Sequence, residues 1–507
     1  DGFSPLYDEG WNFETIRKEN LFLQKVGNCE MDESLRERFK AEVRAMRAWT
    51  YLGMTMTFGK VPLITEVLDY NSPNIPRDEV SVIRDFIMKE LTEAAAILPE
   101  KYAGGYPNEK GRITKYACLS LKARAALYFG DYALAESTAK EVMDKGGFSL
   151  FKISSLSDAQ KKEAEEMSLY IDFAEKGIDK DEFVKGMFNY EALWHTENAN
   201  PDNPEYIMTR QYAASSWDYQ DMTRYTSMRP NQLGGWSSVT PTQNLVDAYW
   251  GVDGHSVPQL PTPEERAKAY NQIKADLDAY QKPEGEAKFI AFCQEKIKNG
   301  TLKDYKYIQE FRNRDSRMYV SILMPFKSWY ESNYGDKFVY EWIKNGNNES
   351  KTGFNFRKML SLENDANGDG QATGDYPCIR YAEILLIYAE AHTQTTGYDA
   401  ATEAALNQLR DRCGMPDVPS GLSKEEGLKL IQNERRIELA GEGFRGDDMT
   451  RYSDDYWKEH MNNVPIMTPD GDTELTMKWS SRMRLKPIPQ TAIDLNPLLA
   501  GDQNPGY

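Results

Sequence analysis

Over positions 32–58 the apolar residues Leu35, Phe39, Val43, Met46, Ala48, Trp49, Leu52 and Met56 recur at steps of three and four. That spacing lays a stripe along one side of a helix, so the segment is predicted to be a helix with one buried face. Gly59 and Pro62 end it. A second helix is predicted over 79–98, where Val82, Ile83, Phe86, Ile87, Leu91, Ala94, Ala95 and Leu98 share a face and Pro99 breaks the pattern.

The stretch GRITKYACLSLKARAALYFGDYALAESTAKEVMDKGG then reads as a tight antiparallel pair. Its first helix carries Tyr116, Leu119, Ala123, Ala126 and Leu127, and its second Ala135, Ala139 and Val142. Small side chains at these positions let the two helices approach closely. Gly130 and Asp131 supply the turn, with Asp131 placed to cap the second helix, and Gly146–Gly147 suits a left-handed end. This is the pattern of a tetratricopeptide-type unit. It returns downstream in YAEILLIYAEAHTQTTGYDAATEAALNQLRDRCGMP, where Gly397–Tyr398 answers the first turn. Two copies so far apart imply one helical scaffold interrupted by a long insertion.

The expected fold is therefore mainly α, a tetratricopeptide-like helix-pair scaffold (an α-solenoid) with a large loop-rich mixed insertion. Within a single body, 30–150 forms the N-terminal scaffold and 151–377 an aromatic-rich ligand lobe. Residues 378–452 bring the returning helices, and 453–507 an irregular C-terminal segment.

Composition narrows the function. The formal charge of −18 repels phosphate backbones and anionic headgroups, which argues against nucleic acid and against electrostatic membrane binding. Aromatics make up 12% of the chain, and Tyr and Trp suit half-exposed recognition surfaces as well as helix seams. The five cysteines are scattered without a CxxC, which excludes a disulfide framework or zinc ribbon. No run approaches the ~18 apolar residues of a spanning helix. A chain that starts at Asp1 without a signal peptide is expected to be a mature form lacking its export and anchoring segments.

In the insertion, Trp217, Tyr219, Trp236, Trp250, Trp329 and Tyr330 are flanked by polar or turn residues, as is Tyr70 after the Pro62 turn. Each is a candidate platform for the apolar face of a sugar ring, the alternative being burial between scaffold and insertion. Asp218, Gln220, Arg224 and Asn231 are the candidate polar partners, by proximity in sequence. The segment ENDANGDGQATGDY offers Asp365, Asn367, Asp369 and Gln371 at calcium-loop spacing. Tyr376 occupies the twelfth position, where a bidentate Glu is expected, so Asp375 or Glu363 would have to substitute; structural calcium and a plain polar turn both remain open.

Other motifs point away from catalysis. Gly441, Gly443 and Gly446 satisfy GxGxxG but follow a helix, so they read as a helix end rather than a dinucleotide site. Glu434 and Glu438 are interleaved with Arg435 and Arg436, and Glu383 stands near Arg380. Such pairing lowers carboxyl pKa values and spoils a general acid, which leaves inter-helix salt bridges as the reading. The four histidines form no HExxH, and no GxSxG occurs.

Several blocks together resemble the SusD-like (RagB/SusD) family. They are AEVRAMRAWTYLGMTMTFGKVPLITE, the helix pair above, PTQNLVDAYWGVDG, FRNRDSRMYVSIL, YPCIRYAEILLIYAEA, NERRIELAGEGFRGDDMTRY and the ending LKPIPQTAIDLNPLLAGDQNPGY, in the family's order. Lys60 and Gly446 depart from it, the latter standing where a large aromatic usually follows the Arg. The resemblance implies a non-catalytic, lipid-anchored protein at the cell surface, on the outer membrane of a Gram-negative bacterium, acylated on a Cys upstream of Asp1. It implies a SusC-like TonB-dependent transporter as partner and an oligosaccharide or polysaccharide as ligand; in some branches the ligand is a peptide or another nutrient. No cofactor beyond the possible calcium is implied.

Overall fold

In the computed structural model, which describes residues 9–69, 71–72, 74–103, 109–212, 228–331, 337–360, 362 and 374–507, the first predicted stripe forms the helix Glu33–Phe58. Asp32 caps it, its carboxylate accepting the Leu35 amide at 3.1 Å, and the chain leaves at Gly59 with φ 72°. Ala48, Leu52 and Met56 are buried as expected, Leu35, Phe39, Val43 and Trp49 only partly, and Met46 stays on the exposed flank. In the next helix, Val80–Ile97, the buried row is Ile83, Ile87, Leu91, Ala94 and Ala95. Val82 sits one position off that row and faces solvent.

The tight pair is Lys115–Tyr128 and Tyr132–Lys145, with Gly130 at φ 76° between them. Asp131 caps the second helix by accepting the Leu134 amide at 3.2 Å. Its downstream counterpart is Tyr381–Thr395 and Ala400–Arg412, turned by Gly397 at φ 116° and capped by Asp399. Tyr381–Thr395 packs directly against Tyr132–Lys145, so the two pairs are neighbours in space despite the insertion between them. Helix Lys424–Glu438 closes against the same element. One continuous apolar core runs through all of them.

The lobe between the pairs has its own core, built largely from its aromatics: Tyr190, Tyr249, Tyr307, Tyr319, Trp329, Tyr340 and Trp342 are all buried. Among the described residues the strands make four two-stranded pairs. One of them, Tyr206–Arg210 with Tyr376–Arg380, is antiparallel with Tyr206 opposite Arg380 and Arg210 opposite Tyr376. Among the described residues no helix is long and apolar enough to cross a membrane. The C-terminal segment returns to the scaffold, where the Asn504 amide donates to Phe58 O at 2.9 Å.

Scaffold and lobe meet across a buried ionic seam. Arg380 donates to Glu205 (2.7 Å), Glu438 (2.8 Å) and Glu442 (2.7 Å). Arg317 reaches Glu434 at 2.6 Å and Glu438 at 3.0 Å, Arg410 takes Glu434 at 2.6 Å, and Arg412 bonds Glu205 and Glu438. Charges this deep persist because each is paired and hydrogen-bonded. Burial alone would raise the Glu438 carboxyl, but Arg412, Arg380, Arg317 and Lys358 outweigh it and hold it well below the ordinary carboxylate range. The salt-bridge reading of this helix is what the structure shows.

Candidate functional site

Trp236 is 47% exposed, and the loop that carries it is closed by its own backbone. The Gly235 amide donates to Pro230 O at 3.0 Å, and the Ser237 amide to Arg229 O at 3.0 Å. The crossing is tight enough that a Cβ on Gly235 would lie 2.1 Å from Arg229 O, which only glycine avoids. Asn231 opens a short 3₁₀ turn on the same loop and is exposed. Gln232 accepts the Glu341 amide at 3.0 Å, fastening the loop to the segment after strand Phe338–Val339. The indole is thus held out from the lobe by a short, hydrogen-bonded frame, with little freedom left to lose on binding.

That strand pairs with Ser328–Trp329, and Tyr330 follows directly. Tyr330 is half-buried, its hydroxyl donating to Glu166 at 2.6 Å. It lines a cavity of about 290 Å³ with Gln160, Glu191, His195, Glu197 and Glu331. His195 Nδ1 lies 3.6 Å from Glu197, and Nε2 lies 4.0 Å from Glu331. Burial disfavours its charge, but the Glu197 contact and the charges of Glu331 and Glu191 prevail and raise its pKa to about 9. Such a pocket can hydrogen-bond hydroxyl groups from several directions. Sequence reasoning missed His195; its only signal was a histidine set between Glu191 and Glu197.

Trp329 corrects the expectation for that residue. It is 1% exposed, edge-on to Phe338 at 6.2 Å, with the Arg357 guanidinium 5.0 Å from its ring. A ring enclosed on those sides is core and offers no face to a sugar. Trp250 is half-buried and donates from Nε1 to Glu434 at 3.3 Å, so it is drawn toward the ionic seam. Tyr70, Trp217, Asp218, Tyr219, Gln220 and Arg224 lie outside the described residues, as do Glu363, Asp365, Asn367, Asp369 and Gln371. Asp375 is buried and accepts the Tyr212 amide at 3.1 Å and the Thr209 hydroxyl at 3.3 Å. It braces the start of the strand Tyr376–Arg380. Among the described residues no group of three or more His, Cys, Asp or Glu is arranged to hold a metal ion.

Comparison with known proteins bears on the family and the fold. A sequence model described as the SusD family matches residues 204–507. The chain is similar to SusD-like protein P38 of Formosa agariphila, 22% identical over 87% of this chain and 70% of that protein. Its fold is similar to that of a SusD-like protein from Bacteroides fragilis, with TM-score 0.71, 25% identity and coverage of 100% of this chain and 88% of the other. A SusD-like carbohydrate-binding protein from the same organism gives 0.68 at 21% identity, covering 98% and 87%. A laminarin-binding SusD-like protein gives 0.58 at 21% identity, covering 100% and 87%.

Proposed function

The chain belongs to the SusD family, and from that premise we propose that it is a non-catalytic cell-surface protein that captures oligosaccharides. Its role is to hand the captured glycan to a SusC-like TonB-dependent transporter, from a lipid-anchored position on the outer membrane. The observation that carries the reading is Trp236, an exposed indole on a loop locked by its own backbone, on a chain whose relatives include carbohydrate-binding proteins.

Magnitudes fit capture followed by release. A fully covered indole buries ~150–250 Å², a few kcal/mol gross at ~25 cal/mol per Å². Association costs of at least ~4 kcal/mol consume most of that. One platform with a few polar contacts at ~1 kcal/mol each therefore gives binding on the millimolar scale, from which cargo leaves readily. Hydrolysis instead needs a free carboxyl to act as acid, which Glu434 and Glu438 of the ionic seam do not supply, being engaged by arginines.

Calorimetry of the full chain against neutral polysaccharides and oligosaccharides tests this. Trp236→Ala should weaken binding by about tenfold, the usual scale for a central aromatic contact, with the melting temperature unchanged. No reducing ends should appear on prolonged incubation. Binding of peptides alone, or glycan binding indifferent to Trp236, would remove the reading.

A further inference from the structure

Segment 239–245, just beyond the Trp236 loop, covers a second cavity of about 460 Å³. Its other walls are the end of helix Lys424–Glu438 and the helices Arg445–Arg451 and Asp454–Met461. Much of the lining is apolar, including Val239, Leu245, Leu439, Phe444 and Met461. Its charge is one-sided. Arg435 is matched by Asp448 at 2.8 Å, and that carboxylate also serves Arg451 at 3.0 Å. Arg436, Arg445 and His460 have no carboxylate within ion-pair distance among the described residues.

The remaining contacts position the two guanidinium groups of Arg436 and Arg445 without neutralising them, while burial lowers the His460 pKa and favours its uncharged ring. Arg436 donates to Asn244 O at 3.0 Å and to Asn244 Oδ1 at 2.6 Å. Arg445 donates to the Tyr456 hydroxyl at 2.9 Å and lies 5.1 Å from that ring's centre, while His460 stacks on the ring at 4.1 Å. Two acidic groups act on the cluster from outside it: Asp247, held by Arg266 at 3.0 Å, and the exposed Glu459. Burial, then repulsion from Arg445, depresses the Arg436 pKa to about 10, as expected of a guanidinium short of counter-charge. In a protein of net charge −18, a hollow lined by unpaired cations is a local reversal of sign.

We propose that this cavity binds the anionic substituent, a carboxylate or a sulfate ester, of an acidic saccharide. Planar guanidinium groups match both oxyanions through paired hydrogen bonds. The ring of Phe444 and the aliphatic walls would take the apolar face of the sugar. Gly446 stands on the cavity lining with open space beside it: a Cβ there would meet nothing within 4 Å. The saccharide part of this assignment rests on the capture reading above; the cationic lining does not.

Calorimetry with the full chain would compare neutral oligosaccharides, oligogalacturonate and sulfated oligosaccharides. At least one acidic series should bind more tightly than the neutral one, and which series does so tells carboxylate from sulfate. Raising salt from about 50 to 500 mM should weaken only acidic ligands. Gly446→Trp, which fills that space, and Arg445→Gln, which removes a cation, should each weaken acidic ligands by about tenfold or more and leave neutral ones unchanged. Two substitutions of opposite kind guard against a folding defect in either. Neutral binding with no acidic preference, or an acidic preference that both variants retain, overturns the cavity assignment and leaves glycan capture standing. Failure of every saccharide overturns both.

Discussion

His195 draws its charge from two partners in its own segment, Glu197 and Glu191, and one from elsewhere in the chain, Glu331. Its unfolded pKa is near 6.5 and its folded value about 9, so the fold favours the protonated ring. The associated stability is therefore complete below about pH 6.5 and disappears as pH rises through about 9, amounting at most to roughly 3 kcal/mol. The imidazole should still be protonated at pH 8 by NMR, and the stability difference between wild type and His195→Gln should shrink across that window. A titration midpoint near 6.5 would show that Glu197 and Glu331 do not hold the charge. Trp236 and Trp329 make the complementary point. Both sit among polar or turn residues, so local sequence gives them equal standing. Phe338 and Arg357, brought in from other parts of the lobe, enclose one, while a loop closed through Gly235 and Ser237 exposes the other; only the second arrangement is written beside its ring.

Helices and their ends were the most legible elements, because caps and stripes are local. Asp131, Gly59 and Gly130 act where the pattern placed them. Met46 and Val82 show the limit: period alone does not say how wide a helix's buried face is. Gly186 was invisible for the same reason. It lies within helix Lys180–Ala192, where a Cβ would come within 2.1 Å of the Gly414 amide nitrogen. Alanine would gain about 1 kcal/mol of helix propensity, yet here it meets backbone that cannot rotate away. Gly186→Ala should lower stability in urea by about 1–3 kcal/mol net, as overpacking does. A stabilised variant would mean that the two segments separate freely.

At the scale of the whole molecule, the helical scaffold and its long insertion could be read from the repeated pair, and the Arg–Glu alternation announced salt bridges. That these bridges would form one seam between scaffold and lobe could not be read, since Arg317 and Arg380 meet Glu438, and Arg380 meets Glu205, only once the chain is folded. Glu438→Gln leaves Arg380, Arg317 and Arg412 facing a neutral group in a buried site. It should cost about 3–5 kcal/mol and, by calorimetry, separate the unfolding of lobe and scaffold into distinct transitions. A single unshifted transition would place their coupling elsewhere.

The strand pair Tyr206–Arg210 and Tyr376–Arg380 brings together two points of the chain that lie far apart in sequence. What lies between them is not free of the frame, because it carries Arg317, whose bonds to Glu434 and Glu438 cross the seam. A graft of that contiguous block is thus expected to keep the scaffold intact only where the incoming block brings an arginine to the same place.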